Sequence, residues 1–289
     1  MPALTHSVDP AFACLPPDWA GIGTCDLPVT AGAPTGLLGC HALVSTTAGT
    51  LVAEVDFARH QCGPGTLIWV RPGQAVRFES GPEGVVSIVF RSDLFRPEEL
   101  DGLVPDDPDG PARAPVSLPD PAGFGAMVDN LVRDAGGTPS SAAAALMRHQ
   151  LAALLLRVRL LDSGSVPPGH VEARTFERFR RRLEEGYPDS RRVEDYAAEL
   201  GCSVRTLTRA SLALTGRTAK QVVDDRVALQ ARRLLAATPL SVAEVGRSLG
   251  FGEPTNFGRF FHRETGLSPG QFRSHFVTSG IPAQRSPSD

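Results

Sequence analysis

Six polar residues on two predicted helices carry chemistry that suits the recognition of DNA bases. They share an outward position on their helices: Arg205, Thr208, Arg209, Thr255, Asn256 and Arg259. An arginine can make a paired contact to guanine, an asparagine can do the same on adenine, and a threonine offers a hydroxyl and a methyl group. A solvated helix face more often carries lysine and glutamate pairs. We therefore predict two base-reading helices, and we add Ser203, the expected N-cap of the first, to the candidate contacts.

An internal duplication gives both helices the same local context. Residues 193–216 and 242–266 align at an offset of 49 residues, which becomes 50 after one extra residue. Apolar or small residues recur at i, i+3, i+4 and i+7 in both copies: Val193, Tyr196, Ala197 and Leu200, then Val242, Val245, Gly246 and Leu249. A glycine, Gly201 or Gly250, ends each of these short helices, and the predicted base-reading helix begins after a turn of three or four residues. The pattern predicts two helix-turn-helix motifs.

A stretch without glycine or proline joins the two motifs. Residues 219–236 carry an apolar side made of Val223, Val227, Ala231, Leu234 and Leu235. This spacing predicts a connecting helix roughly 27 Å long, at about 1.5 Å per residue. Such a helix can hold the two outward-facing helices about one DNA turn, near 34 Å, apart. A bend in the DNA, at a cost of a few kcal/mol, makes up any shortfall.

Three stretches between residues 200 and 273 have a sequence pattern that is shared with a known protein family: LGCSVRTLTR, RVALQARRLLAATPLSVAEV and LGFGEPTNFGRFFHRETGLSPGQFR. Over about 100 residues the chain resembles the DNA-binding domain of the AraC/XylS family of transcription regulators. It departs from the family's pattern at Ala210 and Ser211, where an aromatic residue is usual, which predicts looser packing of that helix. The resemblance implies a sequence-specific, effector-responsive activator that binds double-stranded promoter DNA, forms a homodimer and works with RNA polymerase.

The region from Gly36 to Phe90 changes to short β-type runs between turn residues, such as TLIWV, AVRF and VVSIVF. AraC-type regulators commonly carry a cupin domain here, and the turn at 71–73 is of the kind that cupins use. The expected fold class is therefore α+β. It combines a cupin-like barrel or sandwich bearing a helical dimerisation segment with an all-α domain of two helix-turn-helix motifs.

The expected domain organisation has five segments: an N-terminal arm (1–35), a cupin-like effector-sensing and dimerisation domain (36–162), a linker (163–172), a DNA-binding domain (173–278) and a disordered tail (279–289). Residues 93–121 read as an acidic, proline-rich loop. Helices are predicted over 121–134 and 141–161. The second helix has leucines and an alanine near helical spacing, and we favour its pairing with a twin from a second subunit: Leu146, Ala153, Leu154, Leu156 and Leu160.

The interior of the barrel is the expected site for a small organic effector. Strand parity makes four residues candidate lining contacts, although each is as readily plain core: His41, Phe57, Trp69 and Phe78. A metal-binding cupin needs several histidines converging on one ion, whereas His41 is followed by Ala42 and Leu43. We expect no metal, no cofactor and no enzyme activity. A metal-dependent cupin enzyme with a helical appendage remains the alternative from another class.

Composition and charge agree with two globular domains and a nucleic-acid partner. The chain has 289 residues, of which 42% are apolar and 21% charged. Residues 1–170 hold 10 arginines against 18 acidic residues, a net −8, and residues 171–289 hold 19 basic against 14 acidic residues, a net +5. The basic half suits phosphate contacts. The sequence shows no leader or membrane-spanning segment, so we expect a cytoplasmic protein.

The five cysteines stand far apart, without a CxxC pair or a histidine at zinc-like spacing. They are Cys14, Cys25, Cys40, Cys62 and Cys202. Structural thiols are the simplest interpretation. A regulator that senses redox state through the first four stays open as a further alternative, since thiolate reactivity depends on burial and nearby charge.

Overall fold

The computed structural model describes residues 21–24, 35–79, 84–107, 110–137, 140–161 and 171–277. The described residues up to 161 form a compact N-terminal unit, and residues 171–277 form a C-terminal unit. The first is a β-sandwich with helices and the second is all-α, so the predicted α+β fold class is confirmed. Most of the predicted arm, residues 163–170 of the predicted linker and the predicted tail (279–289) lie outside the described residues.

Two antiparallel sheets form the sandwich. The larger sheet consists, from edge to edge, of β1 (Ile22–Thr24), β8 (Val85–Phe90), β3 (His41–Thr46), β6 (Thr66–Val70) and β9 (Val116–Ser117). The smaller sheet consists of β2 (Gly36–Leu37), β7 (Ala75–Glu79), β4 (Leu51–Val55) and β5 (Ala58–Cys62).

Two helices follow the sheets at nearly the predicted positions, α1 (Pro121–Ala135) and α2 (Ser141–Leu161). Asp120 caps α1, because its Oδ1 accepts a hydrogen bond from Gly123 N at 2.9 Å. The apolar side of α2 is buried in the N-terminal unit through Met147, Leu151, Leu154, Leu155 and Val158. Of the leucines in the predicted pairing stripe, Leu154 therefore belongs to this core.

The larger sheet buries both of its faces, because successive side chains of a strand point to opposite sides. On β3, Ala42 and Val44 point between the two sheets and pack in a core shared with β4 and β7. Leu43 points the other way and packs with residues of α1 and α2 in a second core. The N-terminal unit therefore has two apolar interiors, one on each side of the larger sheet.

Two segments predicted as irregular are part of this architecture. Residues 22–24 of the predicted arm form β1, paired with β8, and Ile22 is only 1% exposed. The predicted loop over 93–121 contains β9 and contributes buried side chains from Leu100, Leu103 and Leu118. These apolar residues are isolated among prolines and acids and show no period, so only their tertiary contacts could reveal them.

The C-terminal unit consists of α3 (Val171–Gly186), α4 (Val193–Glu199), α5 (Val204–Thr215), α6 (Ala219–Ala237), α7 (Val242–Ser248), α8 (Pro254–Thr265) and α9 (Pro269–Val277). The two predicted helix-turn-helix motifs are α4–α5 and α7–α8, and α6 is the predicted connecting helix. The turn glycines Gly201 and Gly250 have φ values of 64° and 74°, which an L-residue rarely adopts. They let the chain reverse within a few residues.

The four candidate effector contacts do not share one face. Phe78 is buried between the sheets, whereas Trp69 belongs to the core beneath α1 and α2, where it donates a hydrogen bond to His41. β4 ends at Val55, and Phe57 lies in the turn to β5 with a φ of 70°. Strand parity assumed one interior, whereas both faces of the larger sheet are buried, so an effector contact at any of the four residues stays a prediction.

His41 lies in a buried hydrogen-bonded network. Its Nδ1 accepts from Trp69 Nε1 at 3.3 Å, so its Nε2 carries the proton and donates to Asp106 Oδ1 at 3.1 Å. The ring stacks on Phe90 with the centroids 4.6 Å apart. Burial lowers the pKa of His41 below its ordinary value of 6.5, although the hydrogen bond with Asp106 acts in the opposite direction. The imidazole is therefore neutral at neutral pH in the folded protein.

Acidification should destabilise the N-terminal unit through His41. The unfolded chain takes up a proton near pH 6.5, whereas the folded chain does so only at lower pH. Stability is therefore lost as the pH falls below about 6.5, by at most about 1.4 kcal/mol per pH unit. Urea unfolding followed by tryptophan fluorescence at about pH 7.5 and about pH 5.5 measures this loss.

His41→Gln should flatten that pH dependence, and His60→Gln, which changes a half-buried histidine of the same unit, should leave it intact. An equal loss of stability on acidification in wild type and His41→Gln would exclude His41 as its source.

Candidate nucleic-acid interface

The N-terminus and the buried side of α5 determine which of its residues face solvent. Ser203 is the N-cap, as predicted, because its Oγ accepts a hydrogen bond from Thr206 N at 3.1 Å. Leu207, Ala210 and Ser211 are buried. Ser211 Oγ donates to Leu207 O at 2.8 Å, so this polar residue is satisfied within the helix.

A neighbouring helix supplies the aromatic packing that α5 lacks. Ala210 and Ser211 are 1% and 0% exposed, so the looser packing that we expected there is not observed. α3 packs against α5 and buries Phe176 and Phe179. Phe179 in turn meets Tyr196 of α4 edge to face, with the ring centroids 5.7 Å apart. Small residues on α5 leave room for this approach.

An aromatic cluster anchors α8. Pro254 occupies the first helical turn. The ring of Phe251 lies 5.3 Å from that of Phe257 and 5.1 Å from that of Phe260. A Cβ atom on Gly246 of α7 would lie only 3.1 Å from Phe257 Cβ. The glycine therefore permits the close contact between α7 and α8 on which the rotation of α8 depends.

Both helices turn their predicted contact residues toward solvent. Thr208 is half-buried, and five residues are exposed: Arg205, Arg209, Thr255, Asn256 and Arg259. Because the opposite sides are buried, neither helix can rotate without losing its core contacts. The side chains that we predict to read bases are therefore presented on a fixed face of each helix.

Two of the candidate contacts already have partners within the C-terminal unit. Arg209 Nε lies 3.4 Å from Glu172 Oε1 of α3, although 66% of the arginine side chain is exposed. Ser203 Oγ lies 2.9 Å from Thr206 Oγ1 and also caps α5, so its hydroxyl is engaged. Sequence reasoning missed Glu172, because no local pattern relates the first turn of α3 to the middle of α5.

The connecting helix packs against both motifs. α6 contacts α4 and α5, which precede it in the chain, and α7, α8 and α9, which follow it. A second link between the motifs was not predicted. Arg191, in the turn before α4, lies 3.7 Å above the ring of Phe251 and donates from Nη2 to Gly250 O at 3.1 Å. The separation of α5 and α8 therefore depends on this contact as well as on the length of α6.

The part of the chain that the structure describes contains no group of three or more His, Cys, Asp or Glu residues that could hold a metal ion. Cys40 and Cys62 are buried and Cys202 is half-buried, while Cys14 and Cys25 lie outside the described residues. Burial raises the pKa of the Cys62 thiol, which disfavours the reactive thiolate. None of the helices described is long and apolar enough to cross a membrane.

Two family models match the chain on either side of the boundary between its units. One describes an AraC-like ligand binding domain and matches residues 40–156, and the other describes a helix-turn-helix domain and matches residues 196–275. The chain belongs to the AraC family of transcription regulators. The first match spans the sandwich with α1 and α2, and the second spans both helix-turn-helix motifs of the regulator.

The regulator is similar to curated transcription activators. HTH-type transcriptional activator RhaS from Salmonella schwarzengrund (strain CVM19633) is 26% identical over 240 residues, which is 81% of this chain and 84% of RhaS. HTH-type transcriptional activator RhaR from Escherichia coli (strain K12) is 30% identical over 130 residues, 45% of each chain. In the second match the regulator spans less than half the length of its relative.

Solved structures also resemble the regulator. The DNA-binding domain of AdpA, in complex with a target DNA, is 33% identical, covers 36% of this chain and 93% of its own, and gives a TM-score of 0.33. ToxT from Vibrio cholerae O395 is 10% identical, covers 89% of this chain and 97% of its own, and gives a TM-score of 0.47.

Removal of the carboxylate beside Arg209 should strengthen DNA binding. Glu172→Gln frees the guanidinium from an exposed ion pair, and such pairs are worth about 0.2–1 kcal/mol, so we expect DNA affinity to rise by about 1.4- to fivefold. Fluorescence anisotropy with an operator selected from a random DNA pool measures it. Glu177→Gln on the same helix removes the same charge but frees Arg181 instead. Equal gains in both variants would show that only net charge matters.

Proposed function

We propose that the regulator reads two successive major-groove segments of promoter DNA, one with α5 and one with α8. The observation that carries this proposal is the exposure of base-reading side chains on both helices, above all Arg205 and Arg259, while their opposite sides are buried against α6 and its neighbours. Arginine and asparagine at these positions match the donor and acceptor pattern of guanine and adenine edges.

The length of α6 supports simultaneous reading by one chain. Its 19 residues span roughly 28 Å. The recognition helices pack on the flanks of α6, so their separation can approach one turn of DNA, about 34 Å. Where the two lengths differ, the DNA bends toward the protein, because the contacts between the motifs leave α6 little freedom to adjust.

The N-terminal unit supports an effector-responsive activator. RhaS and RhaR are transcriptional activators by name, and we extend activation, with RNA polymerase as a partner, to this regulator. The matched ligand-binding family points to a small-molecule effector. Its contacts with His41, Phe57, Trp69 or Phe78 stay a prediction. A cytoplasmic location follows from the same proposal, since the regulator has to reach chromosomal DNA.

The outer side of α2 supports dimerisation. Leu146 and Leu160 are 48% and 76% exposed and lie two heptads apart, with Ala153 midway between them. A heptad repeat of apolar residues on a solvent-facing side is the pattern by which helices pair. The inner side of α2 is occupied by the core of the N-terminal unit, so the exposed side is the one available to a second copy.

Arg259→Ala should weaken binding to the selected operator by about 1–3 kcal/mol and relax the preference at one base pair. The reason is that a paired contact to a base edge is lost while phosphate contacts remain. Anisotropy titrations on the operator, on its single-base variants and on random DNA measure the change. An equal loss on random DNA would contradict base reading by Arg259.

Leu160→Glu should shift the regulator toward monomers, because it places a charge within the proposed apolar seam. Sedimentation equilibrium of the full chain measures this change, and Val171→Glu, which alters a similarly exposed apolar residue of the C-terminal unit, serves as the control. A dimer that is unaffected by Leu160→Glu would exclude this side of α2 as the interface.

A further inference from the structure

A cleft in the C-terminal unit gathers cationic side chains beside α8. It has a volume of about 490 Å³, and its walls include Arg191, Lys220, Arg259 and Arg263, with Asp224 as the one carboxylate of its lining. These five side chains give a net charge of +3. The lining of the cleft therefore carries an excess of positive charge.

The cations of the cleft are held in place. Asp224 is only 7% exposed and binds both Lys220 Nζ and Arg263 Nη2, the latter at 3.3 Å. Arg263 also reaches Glu264, which stands outside the cleft lining, at 2.7 Å. Arg191 is positioned by its stacking on the ring of Phe251. One buried carboxylate therefore organises several cations around a space that it does not fill.

Nitrogen donors dominate the polar lining. The amide of Asn256 also borders the cleft, and the guanidinium of Arg259 has no ion pair with another described residue. The positive charges that line the cleft repel one another, so an anion between them is favourable. Arginine and lysine nitrogens with an amide are the donors that proteins use for phosphate oxygens. We propose that this cleft binds a phosphate group through Arg191, Lys220 and Arg263, and that the group is a phosphate of the DNA backbone.

The position of the cleft favours DNA over a free anion as the source of that phosphate. Asn256 and Arg259 border the cleft and also belong to the exposed side of α8. A helix in a major groove about 12 Å wide is flanked by the phosphates of both strands. This step rests on the proposed function. Because Arg191 precedes α4 whereas Arg263 belongs to α8, a phosphate in the cleft would also contact both halves of the C-terminal unit.

The salt dependence of DNA binding tests the proposal. With a short duplex of random sequence, Lys220→Gln and Arg263→Gln should each make the slope of log affinity against log salt shallower by about 0.9, the contribution of one phosphate contact. Arg181→Gln serves as the matched control, because Arg181 is paired with Glu177 and does not line the cleft. An equal change in this control, or no change in either cleft variant, would overturn the proposal.

Asp224→Asn should change DNA affinity in the opposite direction, which provides a second test. It removes the one negative charge of the lining, so random DNA should bind about threefold more tightly and with a slope at least as steep as that of wild type. Loss of the fold would weaken binding instead, and circular dichroism detects it independently. A correctly folded Asp224→Asn protein with weaker DNA binding would contradict the assignment.

Titration with inorganic phosphate distinguishes a phosphate of DNA from a free anion as the ligand of the cleft. At an ionic strength matched with chloride, phosphate should raise the thermal midpoint of the wild type and not of Arg263→Gln, and it should compete with DNA. Phosphate binding in a wild type whose cleft variants keep the normal salt slope would assign the cleft to a free anion and overturn its role in DNA binding. The thermal midpoint in phosphate is measured without DNA. Failure of the proposed function is therefore a separate result, a wild type that binds no duplex.

Discussion

Burial of α6 between the two helix-turn-helix motifs is the constraint on which the DNA-binding half depends. Val223, Val227, Ala231 and Leu234 of this helix are at most 1% exposed, and each buried valine or leucine contributes roughly 1.5–3 kcal/mol. α4 and α7 have only seven residues each, too few to be stable as isolated helices. Packing on α6 and on their partner helices keeps them folded, and the orientation of α5 and α8 follows from that packing.

Apolar burial orients the helices, and ion pairs with carboxylates then position the cationic side chains on them. Glu172 holds Arg209 near α3, and Asp224 gathers Lys220 and Arg263 beside α8. Arg205 and Arg259 are left open to solvent. The two motifs are thus alike in backbone and unlike in electrostatics, because Glu172 belongs to α3 and Asp224 to α6, both outside the duplicated segments.

The N-terminal unit follows a different principle, in which one sheet serves two cores. Alternation along β3 sends Val44 between the sheets and Leu43 toward the helices. β3 is buried at every position, so polar and apolar residues do not alternate along it and its sequence does not reveal which face borders which core. His41 is an example, because we predicted that it lines the barrel interior. Its side chain lies instead on the face of the larger sheet that carries Trp69, and it is hydrogen-bonded to Asp106 of the loop over 93–121.

The sequence by itself determined the C-terminal unit closely, down to the cap at Ser203, the turn glycines and the outward face of α8, because these features depend on periods and caps within a few residues. It also indicated a β-sandwich followed by two helices. Only the tertiary structure decided that residues 22–24 complete a sheet, that Phe57 lies in a turn, and that Arg191 stacks on Phe251 from across the connecting helix. Those contacts join residues far apart in the chain, and their energies depend on burial and geometry that no local pattern contains.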